Sequence, residues 1–386
     1  MDNDNPFGGI PFFGDFEKMF GAGNQDPWRT AKQVATQMAI DGNNDLNVDP
    51  SHRIALEELS RIAQLHINDA TSLSTGTISI QAVTRTEWVD STVDGYKTLF
   101  QSLTDALTPQ KVEDSYNADP MNAIFGQMMQ FLGPMMLSMT AGSMVGHLAQ
   151  RSFGQFDLPI PREKDAGLQV ITGNIEDFGK EWALSIQELL LWVCLHEFCF
   201  HAVFRVEHIR DHVSNLLFDY VSGFESNPSG LEEKLLDIDM SSPSALEDLQ
   251  RSLGSPEVVL GAIQSESQLR MLPELHAVIA VIVGYVDYIM DSVGNGLIGS
   301  YSQITEAIRR QRVEASPSDR FIERMLGLEL TQEQFDRGNA FIEGVVERSD
   351  ANELGRLWSD RKNFPTPNEV DAPGLWLARI DLPNES

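Results

Sequence analysis

Cysteine is nearly missing from this chain of 386 residues, which has only Cys194 and Cys199. The two stand close together in one apolar run, so a disulfide framework is excluded and two reduced, buried thiols are expected. Basic residues are scarce as well: Lys and Arg number 28 against 57 Asp and Glu, a formal charge of −29. Such a surface repels phosphate backbones and anionic headgroups, so no nucleic acid and no membrane is expected as a partner. The amino-terminal stretch MDNDNPFGG lacks a basic segment and an apolar segment behind it. No secretory signal is therefore visible, and a cytoplasmic location is expected. Internal repeats, a Gly-rich phosphate loop and a CxxC metal pair are also missing, which removes several nucleotide and structural-zinc readings.

Charge of either sign is missing from Pro120 to Gln150. A membrane-spanning helix needs about 20 predominantly apolar residues. This stretch instead carries Asn122, Gln127, Gln130 and His147, and Gly133-Pro134 interrupts it. A Met-rich pair of buried helices is the expected outcome. The Gly142-to-Gly146 spacing carries little meaning outside a membrane helix.

What is present suits a large core. The apolar fraction is 42%, ordinary for a globular protein. Apolar residues recur at helical spacing over most of the length, for example Ile54, Leu56, Leu59, Ile62 and Leu65. Short strands are expected only near Thr77–Val83 and Leu168–Thr172. The fold class is therefore mainly α with few short strands. Residues 1–25 read as a flexible Gly- and Phe-rich arm, and 26–386 as a single helical domain. Residues 226–256, acidic and Ser-rich, read as a surface loop. A nearly all-apolar helix is expected over His276–Asp291, broken by the glycines of 293–300.

The most informative helix opens at Ser185. Ser185 and Glu188 have the S-x-x-E spacing of a capping box, and the run Leu189 to Leu195 is apolar on every side, as in a core helix. Inside it stands His196-Glu197-Phe198-Cys199-Phe200-His201. A buried Glu beside histidines is costly unless something pairs it. The zinc hydrolase pattern H-E-x-x-H places two His at i and i+4 on one helix face, with the Glu as general base. Here Phe200 occupies i+4 and His201 comes one place later. At about 100° per residue, His196 and His201 lie roughly 140° apart on a regular helix. Only a π-bulge would bring them onto one metal.

Several stretches carry a family resemblance. They are Pro11-Phe-Phe-Gly-Asp15, Arg85-Thr-Glu-Trp88, Gly154-Gln-Phe-Asp-Leu-Pro159, Asp319-Arg-Phe-Ile-Glu323 with Leu326-Gly-Leu-Glu-Leu330, and Leu375-Trp-Leu-Ala-Arg379. The chain resembles the actinobacterial family of zinc-dependent metalloproteases or hydrolases with a zincin-like fold. The resemblance implies a zincin-like helical body and a zinc cofactor. It puts His196 on the first zinc ligand and Glu197 on the general base. Phe200 falls where the second ligand stands, and Val283 where an acidic residue stands. An H-E-x-x-x-H spacing like that of dipeptidyl peptidase III enzymes would recruit His201. Asp287, one helical turn after Val283, is the substitute acidic ligand.

Two functions follow. The first is a zinc-dependent peptidase with a peptide or protein substrate, in which His196, His201 and Asp287 hold zinc and Glu197 is the base. The second is a pseudoenzyme scaffold that has lost zinc and binds a protein partner. A bulge at 198–201 favours the first, and a regular helix with Phe200 packed into the site favours the second. An inert core thiol is the expectation for Cys199.

Overall fold

A computed structural model describes residues 27–40, 45, 47–107, 138–163, 167–226, 262–263 and 265–382. The arm 1–25, the first half of the uncharged 120–150 stretch and the acidic stretch after Ser226 lie outside the described residues. What is described is mainly helical. The early helices are α1 (Pro27–Ile40), α2 (Pro50–Ala70), α3 (Arg85–Gly95), α4 (Lys97–Leu107) and α5 (138–151). Then follow α6 (Thr172–Glu181), α7 (Ile186–Phe204) and α8 (Glu207–Ser222). The carboxy-terminal part contains α9 (Glu266–Leu297), α10 (Tyr301–Val313), α11 (Pro317–Met325) and α12 (Gln332–Arg348), then short helical turns.

The two expected strands form and find each other. Strand β1 (Ile80–Val83) pairs in parallel with β2 (Leu168–Ile171), Ile80 opposite Leu168 and Val83 opposite Ile171. A two-residue antiparallel pair, Glu225–Ser226 with Ala262–Ile263, completes the described strands.

The core is a stack of helices. Helix α7 lies between α2 and α9, and α9 in turn packs on α12. Helices α7 and α9 are long and apolar enough to cross a bilayer, yet both are largely buried by their neighbours, as core helices are. The 293–300 break is not where the glycines suggested. Helix α9 continues through Gly294 to Leu297, because Tyr301 packs where a Gly294 side chain would be, 2.1 Å from an ideal Cβ. The Gly142-to-Gly146 spacing also has a role without any membrane. Side chains there would meet the carbonyls of Ala31 at 2.5 Å and Ala35 at 2.7 Å, so α5 and α1 approach backbone to backbone.

The Ser185 capping box does not form. Ser185 precedes α7 but makes no side-chain cap bond. Glu188 instead reaches across to the α9–α10 turn and accepts the Gly299 N–H at 3.1 Å and the Ser300 hydroxyl. A tertiary contact has taken the side chain that the local pattern assigned to the cap.

Candidate functional site

Helix α7 offers two chemically different sides. His196, Glu197 and His201 are all buried, and α7 is a regular α-helix through Phe204 with no bulge. His196 therefore points roughly 100° away from Glu197 and roughly 140° away from His201, while Glu197 and His201, at i and i+4, share a face.

Glu197 faces a strap formed by Gly154, Gln155 and Phe156. Its carboxylate accepts the Gln155 N–H at 2.9 Å and the Phe156 N–H at 3.3 Å. The Trp88 indole N–H donates to the Gly154 carbonyl at 2.9 Å. Only glycine fits at 154, since a Cβ there would lie 2.3 Å from the Glu197 carboxyl carbon. The strap itself is held by the end of α5, where the Asn174 amide donates to the carbonyls of Ala149 and Ser152 at 2.9 and 2.6 Å. The buried charge is thus met by two backbone donors, the ordinary requirement for a buried carboxylate. The Nδ1 of His196 lies 3.5 Å from Glu197 Oε1, too long for a good hydrogen bond.

His201, one turn after Glu197, lies on the same side of α7 as Glu197 and away from His196. It lines a small cavity of about 10 Å³ with Gln155, Arg162 and Arg205. Burial, with Arg205 adding, pulls its pKa down to about 4, so the imidazole is neutral near pH 7. The structure does not bring His201 to His196. The reason is the regular helix, which keeps the two rings on different cavities.

His196 opens into a larger cavity of about 90 Å³. Trp192, His196 and Phe200, at successive i+4 positions of α7, form one wall. The rings stack along the helix: Trp192 to His196 at 5.0 Å between centroids, and His196 to Phe200 at 4.8 Å. Phe156 of the strap stacks on Phe200 at 5.7 Å. Val283 and Asp287 of α9 form the facing wall. The structure therefore brings His196 and Asp287 to one cavity and leaves Glu197 and His201 off its lining.

Four further charged groups, Asp157, Arg151, Arg312 and Glu323, line this cavity without having been singled out as site residues. Asp157 follows the strap, Arg151 ends α5 and Arg312 ends α10. Burial pushes the pKa of Asp157 up, against the pull of Arg151. Burial likewise pushes Asp287 up, against Arg312, whose guanidinium is 3.8 Å away. The only sequence signal for Asp157 was its place in the Gly154–Pro159 stretch. Arg151 also reaches Asp319 at 3.1 Å. Asp319 accepts from His147 at 2.9 Å and from the Ser316 N–H and hydroxyl, both at 2.9 Å. Burial alone would raise Asp319, but those bonds and Arg151 hold it down at about 2.

Cys194 and Cys199 are both free and buried, and burial pushes both thiols well above the ordinary range. Among the described residues no group of three or more His, Cys, Asp or Glu side chains is arranged to hold a metal ion.

The sequence profile of the zincin-like metallopeptidases matches residues 27–377. The chain belongs to that family. In fold it is similar to a protein from Chloroflexus aurantiacus, whose crystal structure is described as that of a putative hydrolase with a novel fold. The two share 20% identity with a TM-score of 0.62, covering 92% of this chain and 99% of that one. No curated protein matches the chain. The zincin-like metallopeptidase body therefore has the mainly helical form that the resemblance implied.

Proposed function

We propose that this chain is a zincin-like metallopeptidase relative whose cavity serves binding rather than zinc chemistry, with a peptide or protein segment as its partner. The observation that carries this reading is the commitment of Glu197. Both of its carboxylate oxygens take strap N–H groups, and the side chain is absent from the cavity lining. A general base must reach the proton it abstracts, and Glu197 faces the wrong way for that.

The donor set supports the same reading. A catalytic zinc takes three protein ligands and keeps one position open. Around His196 the cavity wall presents Phe200 and Val283 at the expected ligand positions, and His201 is on another cavity. Asp157, Asp287 and Glu323 also line the cavity, but among the described residues no three His, Cys, Asp or Glu side chains are arranged to hold a metal ion. These residues do not fit a catalytic zinc. Family membership favours the alternative, a zinc-dependent peptidase using His196 with Asp287. The two readings separate cleanly by metal content. Untagged protein made in zinc-supplemented medium and analysed by mass spectrometry is expected to carry well under one zinc per chain. About one zinc per chain, lost in His196→Ala, together with peptide cleavage by the loaded protein, would overturn the proposal.

A further inference from the structure

The cavity beside His196 has a lining that selects for one chemistry. Its aromatic members include Trp192, Phe200 and Phe156 on one side and Phe335 of α12 on another. Aromatic faces attract cations and offer nothing comparable to anions. Its carboxylates are Asp157, Asp287 and Glu323. Glu323 is already engaged by Arg320 at 2.9 Å and by the Leu330 N–H at 3.2 Å. Asp157 holds the Phe153 N–H through Oδ2 at 3.1 Å, and Asp287 meets Arg312 only at 3.8 Å. An ionised carboxylate offers about four acceptor sites, so both Asp157 and Asp287 keep capacity for a donor.

The two cavity guanidiniums are taken. Arg151 binds Asp319, and Arg312 lies 4.4 Å over the Phe335 ring while facing Asp287. Arg312 thus shows from within the chain that this lining accepts a guanidinium between an aromatic face and a carboxylate. One water occupies about 10–15 Å³ by this measure, so about 90 Å³ admits the end of one side chain. The charge of −29 draws basic segments toward the surface and repels acidic ones.

Resting on the binding reading above, we infer that this cavity takes the Lys or Arg side chain of a basic peptide segment, held between the aromatic wall and the carboxylates of Asp157 and Asp287.

The test is calorimetric titration of the full chain with blocked pentapeptides, Gly-Gly-X-Gly-Gly, in about 0.15 M salt to screen surface attraction. X is Lys, Arg, norleucine or Glu. The Lys and Arg peptides are expected to bind one per chain, with norleucine and Glu about tenfold weaker or worse. Asp157→Asn and Asp287→Asn are each expected to lower Lys-peptide affinity about fivefold or more. Glu306→Gln, an exposed change on α10, is expected to leave it unchanged. Equal binding of the norleucine peptide, no binding of either basic peptide, or a Glu306→Gln loss equal to the Asp losses would overturn the inference. Circular dichroism of each variant separates lost binding from lost folding. Loss of Lys preference in zinc-free protein defeats this inference alone, whereas bound zinc defeats the reading beneath it.

Discussion

Arg151 stands between two kinds of carboxylate, and they behave in opposite ways. On one side Asp319 is wrapped by His147, Ser316 and Arg151 and is held at about 2. On the other side Asp157 lines the cavity, and burial drives it upward in spite of the same arginine. Asp157 carries the larger burial penalty, and it also has fewer donors. The two differences act in the same direction. A carboxylate that the fold surrounds with donors is a structural clamp, here joining α5 to α11. One that the fold desolvates and leaves with spare acceptor capacity is where a ligand has something to contribute. Glu197 belongs to the first class, with its strap of backbone donors, and Asp287 to the second.

The largest expected effect comes from breaking a member of the first class. Gly154→Ala would push a Cβ to 2.3 Å from the Glu197 carboxyl carbon, so the strap must move and both N–H bonds are lost. Overpacking and a stranded buried charge together cost about 3 kcal/mol. Glu197→Ala is expected to cost a similar amount by leaving two buried donors unmet. Because both act on one contact, the double variant should fall well short of the sum. Urea denaturation of the two singles and the double measures this. Strict additivity would mean that Glu197 and the strap are not coupled.

Next is Asp319→Asn, which keeps the shape and removes the charge that His147 and Arg151 share. A folded-state value of about 2 against the ordinary 3.8 corresponds to about 2 kcal/mol. The sign follows from the lowered value. The contribution is complete above pH 3.8 and is lost as pH falls from 3.8 toward 2. Asp157 has the reverse sign. Its folded value is raised, so its charge penalty is absent below pH 3.8 and grows as pH rises from there through the folded value. Asp157→Asn is therefore expected to stabilise the protein at pH 7 by about 0.5–1 kcal/mol, with the gain vanishing in acid. Melting temperatures of both variants from pH 3 to pH 7 test the contrast. Parallel curves would remove the distinction between clamp and cavity carboxylates.

These two classes were unequally legible in the sequence. Helical periodicity placed the core helices, and alternation of Ile78, Ile80 and Ala82 with polar neighbours located the strand that pairs with 168–171. The run around His196 and Glu197 announced a buried charged group, and it is one. What the run did not disclose was which way each side chain turns. The offset of Phe200 and His201 gave the angular separation, and the regular α7 bears it out. The partner of Glu197 lies some forty positions earlier in the chain, and no local pattern encodes a contact of that range. Asp157 was quoted only as part of a stretch, since a lone Asp in an irregular connection carries no periodic signal. The end of α9 was placed too early because Gly294 was taken as a breaker, when close packing of Tyr301 is its use.

The smallest expected effect isolates the same lesson at a helix end. Ser185 and Ser316 both stand at N-cap positions with an acidic residue three places on. At Ser316 the box is made, with the hydroxyl accepting the Asp319 N–H at 3.2 Å and the Asp319 carboxylate accepting the Ser316 N–H. At Ser185 it is not, because Glu188 has gone to the α9–α10 turn. Ser316→Ala is therefore expected to cost about 1 kcal/mol, and Ser185→Ala no more than a few tenths. Glu188→Gln should then cost more than Ser185→Ala, since its charge serves Gly299 and Ser300 across the fold. Equal losses at the two serines would show that the S-x-x-E pattern acts locally at Ser185 after all, and that the tertiary claim on Glu188 is incidental.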